Sequence, residues 1–237
     1  MTRPCAVVTG GARNIGQAIS LRLIADGYRV IVLDIEEPEH ELLRADARRV
    51  DLSDRPAAEL TFAEIAETLP ATVLVNNVGI VRPARFDAVV VDDFDRLMHV
   101  NVRTALIGAK ALVPVMRSHG GGRIVMNTSR VTLGKEARTL YSASKGAMQA
   151  MARTWALELG RDGITVNCVA PGPIGTSLFW EANPPEAPAT RAIVDSIPVG
   201  RMGTAEDVAN AVSFFCDPRS SFVTGQTLFV CGGVTVG

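Results

Sequence analysis

Lysine is nearly missing from this chain: of its 24 basic Lys and Arg residues only Lys110, Lys135 and Lys145 are lysines. The arginines are scattered and form no basic run, and a formal net charge of −1 gives no reason to expect nucleic acid or an anionic membrane as partner. Four cysteines, Cys5, Cys168, Cys216 and Cys231, stand too far apart to spell a metal-ligand spacing or a disulfide framework. His40, His99 and His119 are isolated, so no metal site is expected. Every long apolar run is broken by a charge, and strand-like residues begin almost at once, with no room for a secretory signal ahead of them. These absences lead to the expectation of a soluble cytoplasmic protein with reduced thiols.

What is present is globular: 47% hydrophobic and 21% charged residues in 237 positions, enough for one large α/β domain with a full core. Apolar patterns alternate between strand and helix. Continuous apolar runs predict strands at residues 5–9, 29–34, 72–76, 123–128, 164–170 and 226–231, with a poorer candidate at 48–52. Between them, helical periodicity predicts helices to about Asp26, from Ser53 or Asp54 to about Leu69, and from Asp92 to Ser118 with a bend at Pro114. Further helices are predicted from Tyr141 to about Gly160 and from a Thr204 cap to about Cys216, while 177–200 reads as irregular and proline-rich. Such alternation argues a doubly wound, Rossmann-type parallel sheet in a single three-layer domain spanning 1–237, including a short substrate lid at about 177–200.

The scarce residues fall together. Tyr141-Ser-Ala-Ser-Lys145 places one of two tyrosines four positions before one of three lysines, on the same face of a helix. Chance puts a lysine at that offset roughly once in eighty. An ammonium beside a phenol favours the phenolate, which would lower the tyrosine pKa towards a useful acid/base range. The alternative is an aromatic helix start followed by a solvated lysine. Upstream, Thr9-Gly10-Gly11-Ala12-Arg13-Asn14-Ile15-Gly16 is a strand-to-helix turn whose glycines admit a pyrophosphate to the backbone. Asp34 ends the second strand, where a carboxylate can accept hydrogen bonds from adenosine ribose hydroxyls; the competing reading is an exposed loop aspartate.

Thr9–Gly16, Asn76-Asn77-Val78-Gly79, Asn101, Ser129, Tyr141-x-x-x-Lys145 and Pro171-Gly172-Pro173-Ile174-Gly175-Thr176 stand in an order that resembles the short-chain dehydrogenase/reductase family, in its compact single-domain branch. The resemblance implies Tyr141 as acid/base, Lys145 beside it and on the nicotinamide ribose, Ser129 on the substrate oxygen, and Asn101 holding a water in a proton relay. It implies cofactor contacts from Gly10, Arg13, Asn14, Ile15 and Gly16, from Asp34, from Asp51 and Leu52 near the adenine, and from Asn77 and Gly79. Pro171, Gly172, Ile174 and Thr176 would meet the nicotinamide end, with Phe179 and Trp180 on the substrate lid.

Three departures from the family pattern matter. Asn14 replaces a glycine, and asparagine is the non-glycine residue best suited to a left-handed turn. Val78 replaces an alanine. The gap from Ser129 to Tyr141 is one shorter than in the family; the longer gap would select Thr128, and Ser129 is preferred because it ends the strand six residues after Arg123. Arg130, Lys135 and Arg138 lie on the same loop, either solvated or facing an anionic substrate group. The expected activity is interconversion of a secondary alcohol and a ketone with NAD, NADP being disfavoured by Asp34 although Arg13 could hold a 2′-phosphate. An NADPH-dependent 3-oxoacyl thioester reductase and a non-catalytic dinucleotide-binding sensor or scaffold are the alternatives. Apolar residues on more than one face of the 92–118 and 141–160 helices, among them Leu106, Ile107, Ala143, Met148, Met151 and Trp155, predict a homotetramer or at least a homodimer.

Overall fold

Cys5–Thr9 forms β1 with all five residues buried, as a strand covered on both faces requires. The computed structural model describes residues 3–236, apart from the side chains of Leu178 and Ala182. After β1 the order is α1 (Asn14–Ala25), β2 (Arg29–Asp34), α2 (Glu41–Arg44), β3 (Ala47–Arg49), α3 (Arg55–Thr68) and β4 (Ala71–Asn76). Next come α4 (Asp93–Leu97), a π-helical stretch (Met98–Arg103), α5 (Thr104–Ser118), β5 (Gly122–Asn127), α6 (Thr139–Leu159) and β6 (Ile164–Pro171). The chain closes with α7 (Ser177–Ala182), α8 (Pro188–Asp195), α9 (Ala205–Cys216) and β7 (Thr227–Val230).

The seven strands lie in the order β3-β2-β1-β4-β5-β6-β7, and every pairing is parallel. Strand order reverses between β1 and β4, which opens a crevice beyond their carboxyl ends. On one face α3, α5 and α6 bury Phe62, Leu74, Leu112, Met116 and Met148. On the other, α1 and α9 bury Ile19, Leu23, Val212 and Phe215 against the sheet. Each such side chain contributes roughly 1.5–3 kcal/mol on leaving water. Gly108 lets α5 approach α3, since a Cβ there would come within 2.9 Å of the Phe62 ring.

Two expectations are corrected. β3 is only Ala47–Arg49, because its pairing ends where Asp34 meets Arg49, and Val50 and Leu52 then turn inward and are buried. Residues 177–200 hold two helices: Thr176 caps α7 through Phe179 N at 3.2 Å, and Pro188 opens α8, where its missing N–H costs nothing. In the 92–118 region a π-helical stretch lies between α4 and α5, and α5 runs through Pro114. Of the apolar residues on α5 and α6, Met148 is fully buried in the core and Leu106 is exposed. Among the described residues no helix is long and apolar enough to cross a membrane.

Candidate active site

The crevice has two adjoining chambers, of about 420 and 670 Å³, which share Arg13, Asn14, Asn77, Gly79 and Ile80. The turn between β1 and α1 forms their common floor. Gly10 lies at φ +62°, and a Cβ on Gly16 would fall 1.8 Å from Gly10 O, so only glycine permits this closure. Asn14 takes φ +49°, the left-handed conformation expected of it. Its Oδ1 also accepts from Ser177 N at 3.0 Å and Ser177 Oγ at 3.1 Å, tying the turn to α7. Asn77 braces the same turn, donating to Gly10 O at 2.8 Å and Thr9 O at 3.1 Å. α1 begins with neither a side-chain cap nor a carboxylate in its first turn. Its free N–H groups, including those of Asn14, Ile15 and Gly16, therefore point at the crevice as donors for an anion.

The smaller chamber is lined by Asp34, Glu36, Asp51, Leu52 and Ser53. Asp34 accepts from Ala12 N at 3.0 Å and Glu36 N at 3.2 Å, leaving lone pairs on both carboxylate oxygens for a ligand hydroxyl. Arg13 is engaged by Glu36 and lies 3.8 Å from Glu39. Asp51 accepts from Ser53 N and Oγ at 2.8 and 2.7 Å, and these bonds hold its carboxyl below the usual range. The donors of α1, the glycine cradle and the acidic far end together fit a dinucleotide.

The larger chamber contains Ser129, Tyr141 and Lys145. Tyr141 stands in the first turn of α6 and lines the same chamber as Ser129. Thr128 is committed elsewhere: its hydroxyl donates to Val169 O at 3.0 Å, in the sheet. Lys145 is buried, lies 5.7 Å from the centre of the Tyr141 ring and donates to Asn127 O at 2.8 Å. Burial without a carboxylate partner pushes its pKa down to about 8. The tyrosine departs from expectation, because burial raises its pKa; the nearby Ser129 side chain and the charge of Arg138 act in the lowering direction.

Asn101 sits in the π-helical stretch, buried behind Gly79. Its Nδ2 donates to Ile80 O and to Ser144 Oγ, both at 3.0 Å, and its Oδ1 accepts from Ile80 N at 2.8 Å. One Oδ1 lone pair remains. A Cβ on Gly79 would meet Lys145 Nζ at 3.2 Å and Asn101 Oδ1 at 3.3 Å, so the absence of a side chain there keeps both within reach of one small space. Pro171, Gly172, Ile174 and Thr176 line the same chamber, as does Phe179 of α7. Trp180 does not join that lining; it packs onto Gly175 and stands edge-on to Phe179 with ring centres 5.1 Å apart.

Comparison with known proteins agrees with this geometry. A family model described as enoyl-(acyl carrier protein) reductase matches residues 10–235. The chain is 34% identical to the (2S)-[(R)-hydroxy(phenyl)methyl]succinyl-CoA dehydrogenase subunit BbsD of Thauera aromatica, covering 96% of this chain and 95% of that one. It is 36% identical to the 3-oxoacyl-[acyl-carrier-protein] reductase FabG of Aggregatibacter actinomycetemcomitans, over 96% and 98% of the two chains. The chain belongs to the short-chain dehydrogenase/reductase family. A solved family structure, a putative NAD(P)-dependent gluconate 5-dehydrogenase from Beutenbergia cavernae with bound NADP, superposes with a TM-score of 0.92 at 31% identity, covering 99% of this chain and 97% of that one. As an oxidoreductase of this family, the protein also uses residues that its motifs did not advertise. Ser144 links Asn101 to the Tyr141 carbonyl, and Asn127 anchors Lys145 while donating to Asn77 at 2.7 Å. Ser144 lies inside the Tyr141–Lys145 segment, but nothing in its spacing pointed to the π-helical stretch as its partner.

Proposed function

We propose that this short-chain dehydrogenase/reductase interconverts a secondary alcohol and a ketone, with NAD(H) preferred. The observation that carries the reading is the meeting of Tyr141, Ser129 and Lys145 in one chamber, adjoining a chamber shaped for adenosine. When bound, the nicotinamide supplies hydride acceptance or donation at the substrate carbon. Tyr141 takes the hydroxyl proton in the oxidising direction and returns it in reduction, while Ser129 holds the substrate oxygen. Lys145 holds the nicotinamide ribose, and its ammonium adds positive potential beside the phenol. Asn101 keeps one Oδ1 lone pair for a water that carries the proton onward from Lys145. Gly10, Asn14, Ile15 and Gly16 hold the pyrophosphate; Asp51 and Leu52 flank the adenine.

The preference for NAD rests on Asp34, which offers acceptors to free ribose hydroxyls and repels a 2′-phosphate. Arg13, the residue that could bind that phosphate, is engaged by Glu36. The NADP in the Beutenbergia cavernae protein is the observation on the other side. The names of the relatives, a [hydroxy(phenyl)methyl]succinyl-CoA dehydrogenase, a 3-oxoacyl-[acyl-carrier-protein] reductase and a putative gluconate 5-dehydrogenase, support acidic or thioester alcohols and ketones as the first compounds to try. The decisive assay is turnover of a panel of secondary alcohols and ketones with each cofactor in both redox states. Turnover abolished by Tyr141→Phe is expected; no turnover on any member would favour a binding protein. We also place self-association on the outer faces of α5 and α6, where Leu106 and Leu157 are exposed, so a monomer by light scattering at micromolar concentration would refute it.

A further inference from the structure

The connection from β5 to α6 begins at Ser129 and ends at Tyr141, and it carries three cations between them. Arg130, Lys135 and Arg138 all line the larger chamber. No Asp or Glu lines it. Among the described residues none of the three forms an ion pair, although the chain makes eleven others. The one acid in the connection, Glu136, faces the other way and pairs at the surface with Arg85 at 3.0 Å.

Keeping three cations together without an anion works against folding, because each repels the others. Lys135 registers this: partial desolvation and then the charges of Arg130 and Arg138 hold its pKa below the usual lysine value, even though the residue as a whole is exposed at the rim. The loop is also held in an uncommon shape. Ala137 stands at φ +56°, with its carbonyl accepting from Arg138 Nη1 at 2.9 Å and from Ala84 N at 3.2 Å. A non-glycine residue in that region persists only where its surroundings enforce it. Across the chamber, Phe179 and Ile193 supply apolar surface and no carboxylate.

We propose that Arg130, Lys135 and Arg138 form an anion subsite, so that the substrate is an alcohol or ketone bearing a carboxylate or phosphate, its apolar body lying against Phe179 and Ile193. The inference rests on the oxidoreductase reading above and names the substrate class for the same site. Of the three, Arg138 directly precedes α6, whose first turn carries Tyr141, and its charge reaches the Tyr141 phenol. The anionic group therefore lies a short chain away from the carbonyl. Its source is a free acid or the phosphates of a thioester carrier.

The test compares kcat/KM for 3-oxo acids with their methyl esters and with their coenzyme A thioesters, in both wild type and the variants Arg130→Gln and Lys135→Gln. The wild type is expected to favour an anionic member over the matched methyl ester by tenfold or more, with that ratio collapsing towards one in each variant. Preference for the acid identifies a carboxylate; preference for the thioester identifies carrier phosphates. A wild-type ratio near one, or a ratio that both variants leave unchanged, overturns the subsite. Turnover of the ester with no charge preference leaves the oxidoreductase reading intact and refutes only this inference. Inactivity on every alcohol and ketone tried refutes both. Competitive inhibition by acetate or inorganic phosphate against a neutral ketone, weakened at least tenfold in Lys135→Gln, gives a second readout independent of the acid's own turnover; no inhibition by either anion also overturns the subsite.

Discussion

The two chambers of the crevice handle charge in opposite ways. In the smaller chamber, Arg13 is engaged by Glu36, Asp34 accepts two backbone N–H groups, and Asp51 is bonded by Ser53. In the other chamber, Arg130, Lys135, Arg138 and Lys145 face a space with no carboxylate on its walls. A self-neutralised chamber discriminates through individual hydrogen bonds and through what it repels. An unbalanced one attracts by its field and leaves its charges to be satisfied by what binds. The first arrangement suits a cofactor whose shape is constant; the second suits the reacting molecule.

The strongest way to separate the chambers is Tyr141→Phe. Removing one oxygen from the cationic chamber should cut kcat at least a hundredfold, within the usual range for loss of a general acid/base group. Cofactor affinity, set largely by the acidic chamber and the α1 turn, should change by no more than a few-fold in a fluorescence titration. Retention of a tenth of wild-type kcat would remove the acid/base assignment.

A pH experiment sharpens the boundary between the two. Lys145 is shifted down to about 8 by burial, so its ammonium is charged below that pH and neutral above it. A cofactor held by that charge should bind more weakly as pH rises through 8, by about tenfold between pH 7 and pH 9. In Lys145→Met the affinity should be lower at pH 7 and should lose this fall. Equal pH dependence in the two proteins would show that the ammonium does not hold the ribose.

The smallest effect is expected on cofactor choice. Wild type should favour NAD over NADP in kcat/KM by at least about tenfold, equivalent to ~1.4 kcal/mol. Asp34→Ala should shrink or invert that ratio, and Glu36→Gln, by releasing Arg13, should shift it a few-fold towards NADP. Equal use of both cofactors by the wild type would mean that Arg13 leaves Glu36 when a 2′-phosphate arrives.

Local chemistry was readable before any tertiary contact was known. Tyr141 and Lys145 are one helical turn apart, the Gly10–Gly16 turn joins adjacent elements, and Asp34 ends an apolar run; all three depend on short separations along the chain. The strand alternation was readable for the same reason, since a parallel strand buried on both faces has to be continuously apolar. Where the pattern was weak, the reading failed locally. The prolines of 177–200 make the segment read as irregular, yet Pro188 stands at a helix start, a distinction that depends on the capping geometry around it.

Other features required long-range contacts. Arg130, Lys135 and Arg138 are ordinary loop cations in one dimension; their lack of partners follows from Glu136 facing Arg85, 51 positions away. Thr128 has its hydroxyl tied into the sheet by Val169, whose carbonyl accepts it, whereas Ser129 stands one position further on in the chamber wall. Trp180 packs onto Gly175 and does not join Phe179 in lining the larger chamber. Sequence alone determined the family, the order of strands and helices, and the residues that stand within a turn of each other, because propensity and periodicity act over a few positions. The protonation of Tyr141 and Lys145, the separate charge balance of the two chambers and the direction each side chain faces were decided only in the tertiary structure, because desolvation and ion pairing depend on which distant residues the fold brings within a few ångströms.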